Sequence, residues 1–151
     1  MLRNKNSTTI KRLKNVFGLG NITYNDDFAN TIATGINGWQ SRNWDPKVND
    51  PSFTYYCENI TAHTNLYSAA AKLKPQVEDL IKASGVADVT PKLTQGILNM
   101  IGFYNATIIP ECLKKNKTID ACFTNRNATF YQQHDLKTQS WRSWAYQYCT
   151  Q

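Results

Sequence analysis

Six asparagines in this sequence stand two residues before a serine or threonine with no proline between: Asn6, Asn21, Asn59, Asn105, Asn116 and Asn127. That tripeptide is the acceptor signal for an N-linked oligosaccharide. Sixteen asparagines and 23 serine or threonine residues in a chain of 151 give about 2.4 such tripeptides by chance, and all six here end in threonine. The excess predicts a glycoprotein of the secretory pathway, with its modified asparagines on the surface.

Four cysteines fit the same compartment, because thiols in an oxidising lumen pair and restrict the unfolded chain. Cys112 and Cys122 enclose the short polar stretch from Lys114 to Thr118 and are the preferred internal pair. Cys57 and Cys149 are left open: they pair with each other or with cysteines elsewhere. No Cys-x-x-Cys occurs, and His63 and His134 have no neighbouring ligand at metal spacing. No metal and no cofactor are expected.

Nucleophilic hydrolysis needs a serine or cysteine beside a positioned base, and the Gly-x-Ser-x-Gly turn that presents such a serine is absent. His134 and Asp135 are adjacent in sequence, which does not orient an imidazole as a triad does, so they read as polar loop. Gly18-Leu19-Gly20 lacks the third glycine and the preceding strand of a phosphate cradle. No pair of carboxylates stands out as acid and base. The chain is thus expected to hold no catalytic residue of its own.

The net charge of +6, from 17 Lys and Arg against 11 Asp and Glu, is concentrated at the start. Arg3, Lys5, Lys11, Arg12 and Lys14 all precede the first acid, Asp26. Such an arm could grip phosphate backbones, with steep salt dependence. With no nucleic-acid motif behind it, the run reads instead as the solvated face of a first helix, and no nucleic-acid partner is expected. No apolar run approaches the roughly 18 residues that cross a bilayer, so no membrane partner is expected either. Met1 to Lys14 is polar and lacks the apolar stretch of a signal peptide.

At 151 residues, 41% of them hydrophobic, one core is expected. Ile10, Leu13 and Phe17 recur at helical spacing before Gly18 and Gly20, predicting a first helix. Asn25 as N-cap, Asp26 and Asp27 at the positive end of the dipole, and a stripe of Phe28, Ile32 and Ile36 predict a second. Gly38 to Pro46, with Trp39 and Trp44, reads as a loop whose tryptophans fold inward. Asp50-Pro51 opens a third helix through Phe53, Tyr56, Cys57 and Ile60. Leu73, Val77, Leu80 and Ile81 mark a fourth, with Pro75 in its first turn and Gly85 at its end. Thr90-Pro91 caps the fifth, through Leu93, Ile97, Met100, Ile101 and Tyr104. Beyond Pro110 the pattern weakens to a cysteine-bounded loop and a short aromatic stretch at Phe130-Tyr131. Trp141 to Cys149 fits helix and strand equally. The sum is an all-α unit.

Several runs carry a resemblance. They are Gly18 to Phe28 (GLGNITYNDDF), Gly38-Trp39-Gln40 with Asn43-Trp44-Asp45-Pro46, Phe53-Thr54-Tyr55-Tyr56-Cys57, and the closing Trp141 to Gln151 (WRSWAYQYCTQ). In this order they resemble fungal secreted members of the prolyl serine peptidase family, which includes lysosomal Pro-X carboxypeptidase and dipeptidyl peptidase II. The closing run is the most specific. In that family a helical cap is inserted into an α/β-hydrolase domain, between the serine and the other two triad members.

The resemblance implies that residues 1–140 are most of such a cap and that 141–151 begin the return into the catalytic domain, which is absent here. The serine would lie upstream of Met1, the Asp and His downstream of Gln151, and the chain would be a fragment. The parent activity would be serine-type proteolysis after proline on a peptide substrate, with Trp144, Tyr146, Gln147, Thr150 and Gln151 nearest the substrate. Dimerisation of the intact family member is one option, and the location would be secreted or vacuolar/lysosomal. Gln151 stands where the family often has Glu, which weakens a role in binding a free amino terminus and is compatible with carboxypeptidase or endopeptidase action. From a different class comes a secreted binding module, with Trp39, Trp44, Trp141 and Trp144 as a platform for sugar or peptide.

Overall fold

A computed structural model describes residues 7–37, 52–86, 90–115, 118–124, 126, 128–132 and 150 of the chain. Among them the regular structure is helical and no strand occurs. The order is α1 (Ser7–Val16), α2 (Asn25–Asn37), α3 (Ser52–Thr61), α4 (Ser68–Ala71), α5 (Lys74–Ala83) and α6 (Pro91–Phe103). A π-helical turn at Tyr104–Ile108 then leads into α7 (Ile109–Leu113), followed by α8 (Ile119–Phe123) and α9 (Ala128–Gln132). The described residues are all-α, as expected.

The end of α1 and the starts of α5 and α6 each have a physical cause. Gly18 adopts φ +72°, the left-handed conformation that a Cβ disfavours. This lets Leu19 N–H return to Lys14 O at 2.9 Å and close the last turn of α1. The side chain of Thr90 accepts Leu93 N–H at 3.1 Å and caps α6. Pro75 and Pro91 occupy first-turn positions, where the missing N–H has no intrahelical partner to lose.

The core gathers on α6, which packs against α3, α4 and α5, while α1 packs on α5. Leu13, Phe17, Leu19, Ile22, Phe28, Val77, Leu80, Ile81, Leu98 and Ile101 form one buried cluster. Fully burying such a side chain stabilises by about 1.5–3 kcal/mol each. Tyr56, Phe103 and Tyr104 form a smaller aromatic cluster, with the Tyr56 and Phe103 rings 5.3 Å apart and edge to face. Tyr67 lies so tightly over Gly102 that a Cβ there would meet its ring.

Four expectations need correction. Ile36, placed on the buried stripe of α2, is 54% exposed. Leu93, placed on that of α6, is 38% exposed, because the inward face of α6 runs through Thr94, Leu98 and Ile101 instead. Beyond Pro110, where the sequence predicts a cysteine-bounded loop, the described chain is helical again in α7 and α8. A wider π turn spares the Ala106 carbonyl the clash a proline causes four residues on, and Ile109 N–H bonds Tyr104 O. Finally, Lys14 does not lie on a solvated face: it is 6% exposed. The loop from Gly38 to Pro46 and the run Trp141 to Cys149 lie outside the described residues.

Candidate functional site

A set of polar and charged groups meets where the turn between α1 and α2 approaches α8. Lys14, on α1, faces the segment that the Gly18 turn folds back beneath it. Its Nζ donates to Ile22 O at 2.8 Å and to Thr23 O at 3.3 Å. Burial lowers the Lys14 pKa from the ordinary lysine value, and the charges of Asp120 and Asp27 partly restore it. Asp120, in the first turn of α8, accepts Thr23 N–H at 2.8 Å. Asp27, in the first turn of α2, accepts Arg126 Nε–H at 3.1 Å, and the Arg126 guanidinium lies 3.8 Å from the centre of the Tyr24 ring. Thr118 caps α8 by accepting Ala121 N–H.

Cys112 and Cys122 form a disulfide, Cα to Cα 6.0 Å, which holds α7 and α8 together. The expected internal pair is therefore formed. Cys57 is half-buried on α3 and free among the described residues, and Cys149 lies outside them.

Two cavities lie among these helices, the first of them bordering this junction. One, of about 380 Å³, is lined by Ser7, Lys11, Lys14, Asn21, Thr23 and Asn25, with Ile10, Gly20 and Ile22. It carries two lysines and no carboxylate. The other, of about 260 Å³, is apolar and lies between α1, α2, α5 and α6, walled by Phe17, Leu80, Met100 and Ile101 among others.

No described side chains form a nucleophile and base. His63 is exposed in the turn after α3, and the hydroxyls of Thr31, Thr34, Thr61 and Thr107 each donate to the carbonyl four residues earlier. No group of three His, Cys, Asp or Glu at metal-holding distance occurs among the described residues. No helix there is long and apolar enough to cross a membrane.

The expected site residues fare unevenly. Of the substrate-proximal set, Thr150 is helical and exposed, while Trp144, Tyr146, Gln147 and Gln151 lie outside the described residues. So do Asn6, Asn116, Asn127 and the four tryptophans. Asn21 is exposed in the turn between α1 and α2. Asn105 is exposed on the π turn, its Nδ2 donating to Ile101 O at 2.9 Å and to Phe17 O at 3.3 Å. Asn59 is 6% exposed within α3.

Over all its 151 residues the chain is 38% identical to a protein of Arthroderma benhamiae described as "Probable extracellular serine carboxypeptidase". The chain is similar to part of a serine peptidase. It spans only 21% of the length of that curated relative. No family model matches the chain, and no solved structure matches it. This likeness supports a serine peptidase family.

Sequence reasoning missed Lys14, Asp120, Arg126 and Asn99 as organising residues. For Lys14 one signal was present: it shares a helical face with Ile10 and Phe17, four positions before and three after.

Proposed function

We infer that this chain is the helical cap of a secreted serine carboxypeptidase, a lid that roofs the catalytic centre of a larger protein and limits which peptides enter. The observation that carries the reading is likeness along every residue of the chain to about a fifth of a much longer serine carboxypeptidase. The helical architecture supports it. A hydrolase of the α/β type presents its serine from a strand-to-helix turn, so an all-helical segment suits the inserted cap rather than the catalytic core.

On this reading residues 1–140 form the cap, and the chain returns toward the catalytic domain from Trp141. Trp144, Tyr146, Gln147, Thr150 and Gln151 stand nearest the substrate, where aromatic rings offer surface to a proline ring. The parent hydrolyses the bond after proline by acyl transfer through serine, and the cap excludes water from that step. Gln151 in place of a carboxylate suits release of a C-terminal residue. The word "extracellular" in the relative's description supports secretion, and the six acceptor tripeptides support glycosylation on the way out.

A chimera tests this: the corresponding fifth of the Arthroderma benhamiae protein is replaced by these 151 residues. Release of the C-terminal amino acid is then followed from peptides with proline or alanine before it. The chimera should keep activity and prefer proline, and the 151-residue chain alone should show no turnover above background. A folded but inactive chimera, or turnover by the chain alone, would overturn the reading.

A further inference from the structure

Three of the six acceptor tripeptides fall wholly within the described residues, and the fold treats them differently. At Asn59 both ends are committed. Its Nδ2 donates to Tyr55 O at 2.8 Å, its Oδ1 accepts the Tyr67 hydroxyl at 2.6 Å, and the Thr61 hydroxyl donates to Cys57 O at 2.8 Å. The residue is 6% exposed. Asn105 has both Nδ2 hydrogens donated and its Oδ1 where a Cβ on Gly18 would stand. Asn21 is the opposite case. It lies in a turn, is exposed, and neither its amide nor the Thr23 hydroxyl has a hydrogen-bond partner among the described residues. The Thr23 backbone, by contrast, is fixed by Asp120.

We propose that Asn21 carries an N-linked oligosaccharide whose first sugar sits in the adjoining 380 Å³ cavity, and that Asn59 stays bare in the folded protein. The transfer joins Asn21 Nδ2 to C1 of a sugar carried on a lipid diphosphate. The C1–O bond breaks, the lipid diphosphate leaves, and Nδ2 gives up one proton. An acceptor must therefore have an amide hydrogen to lose and open space in which to place a sugar ring. Asn21 has both, because it lines the cavity itself.

The other walls suit a hydroxyl-rich, uncharged ring. Ser7, Thr23 and Asn25 can donate or accept, Lys11 is exposed at the rim, and the Lys14 ammonium has a third N–H beyond the two given to Ile22 and Thr23. A sugar on Asn59 would instead displace the Tyr55 carbonyl and force apart α3 and the Tyr67 segment. A molecule so modified could not complete this core.

The inference rests on the export reading, and the experiment keeps the two apart. The full chain is directed into the secretory pathway of a yeast by an appended leader, and the folded secreted product is treated with peptide N-glycosidase in oxygen-18 water. Each asparagine that bore a sugar becomes a labelled aspartate, located by peptide mass spectrometry. Asn21 should be labelled in nearly all molecules and Asn59 in none. Label on Asn59 in folded protein, or none on Asn21, would overturn the assignment. Failure of the export reading is seen separately, as absence of label at all six asparagines in the chain made from its own gene in its own host.

The cavity seat has its own readout. Glycosylated chain trimmed to a single sugar should melt higher than Thr23→Ala, measured against the difference between the same two proteins made without glycosylation. An unchanged difference would sink the seat.

Discussion

The Asp120 carboxylate accepts the backbone N–H of Thr23 at 2.8 Å, joining residues 97 positions apart. The bond links the turn between α1 and α2 to the first turn of α8, and it places a negative charge near Lys14. A charge-assisted bond contributes about 1.5–3 kcal/mol when buried, and this one is exposed, so Asp120→Ala should cost about 1 kcal/mol. Asp120→Asn keeps an acceptor oxygen and should lose less. Urea midpoints for the two variants, at unchanged m-value, measure the difference.

The Cys112–Cys122 disulfide closes a loop of ten positions. Loop-closure entropy for that length gives about 2–3 kcal/mol of stabilisation, since the unfolded chain loses freedom that the folded one never had. The Cys112→Ser, Cys122→Ser double variant should therefore unfold at lower urea. Far-ultraviolet circular dichroism in native buffer should change little, because α7 and α8 supply few of the helical residues.

Asn99 is fully buried in α6 and ties down the turn after α3. Its Nδ2 donates to Thr64 O at 3.1 Å and to Ala62 O at 3.4 Å, and its Oδ1 accepts Leu66 N–H at 3.1 Å. Asn99→Leu would bury none of those partners' needs and should cost about 2–3 kcal/mol. Hydrogen exchange at Leu66 should accelerate more than exchange in α5, which Asn99 does not bond.

Much of the fold was legible because capping chemistry and apolar period agreed. Ile10, Leu13 and Phe17 with Gly18 announce a helix and its end, and Thr90-Pro91 with Ile97, Met100 and Ile101 announce a helix and its start. What hydropathy could not reveal were polar residues holding core positions: Asn99 is satisfied by partners at Ala62, Thr64 and Leu66, far outside any local window, Lys14 by carbonyls beyond the Gly18 turn, and the Thr94 hydroxyl is buried without a partner among the described residues. The short helices α4, α8 and α9 have too few turns to show a period. Pro110 misled because its usual effect is to end a helix, whereas a π turn here absorbs it. The site itself was less legible. The asparagine tripeptides are visible in sequence, but whether each amide is spent inside its own helix, as at Asn59, depends on packing.

Two buried tyrosines make opposite predictions. Tyr104 Oη–H donates to Thr31 O at 2.8 Å, so Tyr104→Phe should cost about 1 kcal/mol by removing that bond. The Tyr56 hydroxyl is buried with no partner among the described residues, so Tyr56→Phe removes a desolvated group and should be neutral or stabilising. Tyr104→Phe should melt below the parent and Tyr56→Phe at or above it; equal losses would show that the Tyr56 hydroxyl is bonded after all.

Alkaline pH should unfold the chain from about pH 10 upward, and the sign follows from burial. Burial raises the Tyr56, Tyr67 and Tyr104 phenols above the ordinary tyrosine value, with neighbouring ionisable side chains adding to the rise at Tyr56 and Tyr67. In the unfolded chain each phenol ionises near pH 10, while in the folded chain it keeps its proton, so above that pH the unfolded state binds fewer protons and stability falls. Lys14 acts in the opposite sense. Its folded pKa is lowered, so between that value and the free lysine value the unfolded state holds the extra proton and stability rises with pH. Three phenols against one amine leave a net fall above about pH 10. Denaturant midpoints from pH 8 to about pH 12, followed with tyrosinate absorbance, should show late phenol ionisation coinciding with unfolding. Tyr56→Phe should shallow the decline, because the phenol most strongly raised no longer titrates. Stability that stays level through this range would mean that these rings reach water in the folded chain.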